Sequence, residues 1–314
     1  MSTLLSTLLP ENSQLTFSGH ETFVLRSNWL KKAYDILRYA PDLFYQENAF
    51  VLLGVGKNMA QSIRFWGRAC GMFERSPAGI GHDITPLGRA LLDDEGWDPF
   101  LVTPASHWLL HWQIAARPEA AFTWFYTFNL LKGGEFTAAQ LSHQLRSFAA
   151  TQELRIPSEA TISRDVECML NCYCRADTRH ISTNMEDLLA CPLTDLGIIQ
   201  VLPGQQIYQL VSGAQLDLPD ALIAFAIREM LRVTKRHTIS FSELAYAPRS
   251  PGRIFRLDAD SLLSRLQRIG EITEGHAYYT DQAGIRQVAW PDLDTSMDAD
   301  ALLAKAFTGE VHYV

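Results

Sequence analysis

The stretch that most restricts what this chain can fold into is Leu53-Gly54-Val55-Gly56-Lys57-Asn58-Met59 and the amphipathic segment it opens. Met59, Ile63, Trp66, Cys70 and Phe73 recur at helical spacing as an apolar stripe that must dock on a core. Gln61, Arg64, Arg68 and Arg75 form a second stripe, so the expected helix runs from Asn58 to Arg75 with a polar, cationic outer face. A glycine-loosened loop leading into a helix leaves free backbone N–H groups aimed forward, which favours an anion. That division of faces is what a nucleic-acid recognition helix needs. Two plainer readings stand beside it: turn glycines and a solvated arginine face. A nucleotide-binding P-loop is excluded, because Val51 and Asn58 stand where that motif requires Gly and Ser or Thr.

Charge segregates along the sequence. The whole chain of 314 residues carries a net −8. Residues 1–92 hold nine Lys and Arg against seven Asp and Glu, and residues 228–268 hold nine against four. A basic patch can steer DNA while the acidic remainder faces solvent or protein partners. No apolar run is long enough for a membrane span. Met1 to Gln14 lacks a basic n-region and reads as a loose tail. The expected compartment is the cytoplasm. Cys168, Cys172, Cys174 and Cys191 lack the paired spacing of a structural zinc site and read as free thiols, with zinc left open.

Helical periodicity dominates the rest, giving a mainly α fold with small β-hairpins: tandem winged-helix-like units around an apolar helical hub. Arg26–Ala40, a short helix near Phe44–Leu53 and Asn58–Arg75 precede a hairpin at residues 76–83, and Thr85-Pro86 reads as a helix start. Helix, helix, helix, hairpin is a winged-helix order. The expected division is a tail (1–14), an N-terminal winged-helix-like DNA-binding domain (15–100), the apolar hub (101–135), a second helical or winged-helix-like unit (136–216) and a C-terminal one (217–314) with a basic loop and acidic tail. Pro118 splits the hub into two helices, and His107 and His111 within it read as packing or interface histidines rather than metal ligands. In the second unit Ser158 is an N-cap, and Asp165 and Glu167 are expected near an exposed face. In the third, Arg249, Arg253 and Arg256 surround Ser250-Pro251-Gly252, with Arg265 and Arg268 on the open face of the following helix. This is a phosphate-gripping patch or a salt-bridged loop.

Several ordered blocks resemble one bacterial family. They are Phe17-Ser18-Gly19-His20-Glu21-Thr22-Phe23, Arg26, Trp29-Leu30, the Gly-Lys-Asn run, Arg164-Asp165-Val166, Pro192-Leu193, Leu196-Gly197-Ile198-Ile199, and Ser250-Pro251-Gly252 with Phe255. The match spans about residues 15–290 and is similar to the SspB-type family of DNA phosphorothioation (phage-defence) systems. The resemblance implies a protein that binds double-stranded DNA and nicks one strand. Its implied partners are sulfur-transfer proteins: a cysteine desulfurase, an ATP-pyrophosphatase-like protein and an ATPase. Mg²⁺ or Mn²⁺ would serve the nick.

A nick needs an activated nucleophile, charge stabilisation at phosphorus and a protonated leaving oxygen. No familiar acidic nuclease cluster is present. His20 and Glu21 are the local candidates for catalysis, one as base or acid, the other to orient it or hold a metal. The competing reading of Ser18 to Glu21 is a capping box. Arg26, Lys57, Asn58, Gln61, Arg64, Arg68, Arg249 and Arg253 are the expected DNA-binding residues. Two other functions stay open: a non-catalytic winged-helix scaffold or transcriptional regulator, and a pure protein adaptor.

Overall fold

Five tryptophans are fully buried, among them Trp29, Trp66 and Trp124, and the helices are arranged by what those indoles need to pack against. The structure, a computed structural model, describes residues 15–152, 157–174 and 191–308; the expected loose tail Met1–Gln14 lies outside them. The described chain is about half helical with small antiparallel sheets. It divides into two units, residues 15–102 with 113–210 and residues 103–112 with 211–308, the division passing through the helix Pro104–Ala115.

In the first unit, α1 (Ser27–Leu37), α2 (Ala49–Leu52) and α3 (Lys57–Ala69) precede a hairpin of β1 (Phe73–Arg75) and β2 (His82–Ile84). Then α4 (Pro86–Leu92) starts at Thr85, whose hydroxyl accepts from the Gly88 N–H as expected of an N-cap with proline behind it. The expected helix to Arg75 ends earlier. Cys70 caps it, Gly71 turns the chain at φ +74°, and Arg75 lies on β1. Glycine also sets how closely α3 and β1 meet, since a Cβ on Gly67 would fall 1.7 Å from the Phe73 ring.

After α5 (Pro104–Ala115), the helix α6 (Phe122–Asn129) is buried on every side. Its polar groups are answered inside: Thr127 donates to the Thr123 carbonyl, and Asn129 to the carbonyls of Ala115 and Phe125. A short β3 (Glu135–Phe136) leads to α7 (Ala138–Thr151), started by a Thr137–Gln140 capping box, and to α8 (Glu159–Tyr173), capped by Ser158. β4 (Ile199–Val201) and β5 (Tyr208–Leu210) complete a sheet of order β3-β5-β4. Asp165 corrects the sequence reading: it faces the interior at 2% exposure, while Glu167 is exposed.

The second unit holds α9 (Asp220–Thr234), β6 (Thr238–Ser240), α10 (Phe241–Tyr246), α11 (Pro251–Ile254), α12 (Ala259–Gln267), α13 (Ile269–Ile272), β7 (Tyr278–Gln282), β8 (Ile285–Ala289) and α14 (Ala299–Thr308). Its sheet has the order β6-β8-β7. His107 and His111 are both buried, and His111 Nε2 donates to the Ile254 carbonyl at 2.8 Å. Burial pushes the His111 imidazole down to about 4.

Arg265 is a second correction. Its guanidinium binds Asp220 and the carbonyls of Leu218, Ala214 and Gln215, and its side chain is 10% exposed. Arg268 pairs with the same Asp220. Neither is an open phosphate grip, because one carboxylate and three carbonyls inside the unit already take their donors.

Candidate nucleic-acid interface

The Phe17–Phe23 segment wraps against α3 instead of starting a helix. Ser18, Glu21 and Thr22 all have positive φ, so the capping-box reading does not apply. Gly19 lies against Phe65, the His20 ring stacks near Trp66 at 6.3 Å, and Trp66 Nε1 donates to the Phe23 carbonyl. His20 Nδ1 accepts from the Thr22 N–H, so Nε2 carries the proton and donates to Asp165 Oδ1 at 2.7 Å. The same oxygen receives the Ser18 N–H, and the Thr123 hydroxyl donates to the other. His20 is 1% exposed with both ring nitrogens engaged, whereas Glu21 is exposed.

With its back held in this way, α3 turns an outer face to solvent. Lys57, Asn58, Gln61 and Arg68 are exposed and Arg64 is half-buried; Arg75 on β1 extends the same face and is exposed. Among the described residues none of these four cations enters an ion pair. The neighbouring helix behaves differently: Lys31 pairs with Asp35 and Asp94, and Arg38 with Asp94. Burial and the adjacent Arg75 and Arg64 lower Arg68 from its usual value. His82 on β2 feels the same field: burial first, then Arg68, Arg64 and Arg75, push its imidazole down to about 4. The result is a cluster of cations without ion-pair partners among the described residues.

The remaining expected residues lie elsewhere. Arg26 is buried with its guanidinium 5.3 Å from the Trp29 ring, apart from the exposed face. Arg249 and Arg253 are half-buried in the second unit, where the Arg253 N–H caps onto Ser250; burial lowers Arg253, and lowers Arg256 to about 10. Sequence reasoning missed His82 and the inward turn of Asp165. The alternating His82-Asp83-Ile84 strand signalled the first; the second needed the fold. Cys70, Cys168, Cys172 and Cys191 are buried thiols, raised by desolvation where a shift is resolved.

These features define a mainly α protein, with small antiparallel sheets, that presents an unpaired cationic face built from one helix and one hairpin. The chain belongs to the family described as "Protein of unknown function (DUF4007)", whose model matches residues 17–307. It is of the SspB type. One similar solved structure, described as "SspB crystal structure", has a TM-score of 0.82 and 29% identity over 95% of this chain and 90% of that one. A second, described as "Magnesium ion-bound SspB crystal structure", has a TM-score of 0.80 and 27% identity over 93% of this chain and 95% of that one. No curated protein matches the chain.

Magnesium requires several oxygen ligands in octahedral geometry. Among the described residues no group of three His, Cys, Asp or Glu is arranged to hold a metal ion. Asp165, the buried carboxylate of the site, already has both oxygens engaged by protein donors. The buried carboxylate of the site is therefore not free to take a divalent cation.

Proposed function

We propose that this chain is the DNA-binding component of a phosphorothioation system, gripping the duplex backbone with the outer face of α3 and the adjoining hairpin. The observation that carries this reading is the set Lys57, Arg64, Arg68 and Arg75, exposed or half-buried and without acidic partners among the described residues. Unpaired, mutually repelling guanidiniums cost stability, and a polyanion is the partner that relieves them. The expected domain at 15–100 would then be the reader. The strand orders β3-β5-β4 and β6-β8-β7, in which a strand lying between two helices (α6 and α7; α9 and α10) pairs with the last strand, support winged-helix-like units over 136–216, with α6 of the hub as the first helix, and over 217–314. The acidic remainder would meet the sulfur-transfer proteins. Duplex affinity that falls steeply with salt, and falls further in Arg68→Ala and Arg75→Ala, is the test; salt-independent binding counts against it.

Strand nicking is the finer part of the proposal. Glu21, exposed in the Phe17–Phe23 segment, is the carboxylate we assign to it, and His20 acts as a positioning residue. A non-catalytic scaffold or regulator is the second reading, favoured by the engagement of both His20 nitrogens. Supercoiled plasmid with Mg²⁺ or Mn²⁺ separates them. Open circles that vanish in Glu21→Gln, with binding retained, indicate a nickase; intact plasmid in the presence of bound protein indicates the scaffold.

A further inference from the structure

Beside the cationic face lies an open groove of about 610 Å³, between the turn at Leu43–Tyr45, α2 and the flank of α3. Its lining combines three chemistries: the Phe44 and Phe50 rings, the Gln46 and Gln61 amides, and the Lys57 and Arg64 cations. Glu47 is the acidic residue lining it, so the cations exceed the carboxylate. Lys57 Nζ sits 5.3 Å from the centre of the Phe50 ring, an ammonium over its face. The α3 N-cap, Gly56, offers no side-chain acceptor to the first-turn N–H groups. A phosphate at that turn would draw the ammonium away and uncover the ring.

Flat rings, side-chain amides and flanking cations are what an unstacked nucleobase needs: a surface to stack on, donors and acceptors for its edge, and charge for its phosphates. Gln46 Nε2 donates to Asp42 at 2.9 Å and Gln61 Oε1 accepts from Arg64, which leaves Gln46 Oε1 and Gln61 Nε2 for a base edge that an apolar peptide side chain could not supply. We infer that this groove receives one nucleobase displaced from the stack of the bound DNA, laid against Phe50 and addressed by Gln46 and Gln61, with Lys57 and Arg64 on the flanking phosphates. The inference rests on the DNA-binding reading above. Contacts along Arg64, Arg68 and Arg75 would offset the unstacking.

The experiment uses the full chain and duplexes carrying 2-aminopurine at successive positions, each variant brought to saturation and binding followed separately by anisotropy. The expected result is a several-fold rise in 2-aminopurine fluorescence at one position. That rise should be lost in Phe50→Leu and reduced in Gln61→Leu, an exposed site where folding is not at stake. Bound duplex with flat fluorescence at every position overturns the groove assignment and leaves the DNA-binding reading standing. Absence of salt-dependent duplex binding overturns both.

Discussion

His20 and Asp165, 145 residues apart, meet in a fully buried hydrogen bond of 2.7 Å that fastens the Phe17–Phe23 segment to α8. Asp165 also receives the Ser18 N–H and the Thr123 hydroxyl, so one carboxylate answers three donors from two parts of the chain, the Phe17–Phe23 segment and α6. Asp165→Ala therefore leaves two buried donors and the part-buried Ser18 N–H unanswered and should cost about 2–4 kcal/mol. Asp165→Asn should cost less, because its carbonyl oxygen can serve His20 and Ser18 while its amide meets the Thr123 oxygen. Urea unfolding of both variants measures the difference. Equal midpoints for wild type and Asp165→Ala would remove this network as the anchor.

The opposite balance is expected on the outer face of α3. Arg68 has no acidic partner among the described residues and repels Arg64 and Arg75, so Arg68→Ala should leave the melting temperature unchanged or raise it. The same change should flatten the plot of log affinity against log salt by about one unit if Arg68 contacts a phosphate. Calorimetry and a salt titration check the two halves independently. A large loss of stability would mean that Arg68 is structural.

How much of this was legible beforehand depended on whether the signal was local. The caps at Thr85 and Ser158 and the hairpin around Gly79 are short-range patterns, and they stand as read, whereas the cationic stripe follows the helix only as far as Arg68. The extent of α3 was misread because an apolar period running through Phe73 continues onto a strand, where Phe73 is buried from a different direction. Asp165 was misread because periodicity ranks an aspartate as outward unless a partner is known, and its partners lie 42 to 147 residues away. Arg265 failed for the same reason: its acceptors are mostly carbonyls, which no composition reveals. The groove beside α3 draws on residues from two separate stretches, Phe44–Phe50 and Lys57–Arg64, and only folding brings them together.

Gly67 offers a test of the packing between α3 and the hairpin. An added Cβ would overlap the Phe73 ring, itself 1% exposed and stacked on Phe44 at 5.6 Å. The ring has nowhere to retreat, so the gain in helix propensity from alanine, about 1 kcal/mol, should be outweighed. Gly67→Ala should destabilise by about 1–3 kcal/mol. Thermal unfolding decides the sign. A more stable variant would show that Phe73 and β1 shift readily, and that the hairpin is not fixed relative to α3.

His82 gives the N-terminal unit a pH dependence whose direction is set. Its ordinary value near 6.5 is pushed down to about 4 by burial and by Arg68, Arg64 and Arg75, with Asp83 pulling weakly the other way. A histidine depressed on folding is neutral in the folded chain where the unfolded chain already binds a proton. Its contribution to stability is therefore complete above about 6.5 and is lost as pH falls toward 4. Melting temperature should decline through that window. Arg68→Ala should lift the His82 midpoint by removing the largest of the three arginine repulsions, which narrows the window from below. Bound polyanion should lift it too, since phosphate screens the same guanidiniums. Proton NMR of the His82 ring, followed from pH 7 to 4 with and without duplex, reads both effects. A midpoint near 6.5 in the free protein would show that the three arginines do not act on the imidazole, and that the cationic field inferred for this face is far weaker than its geometry requires.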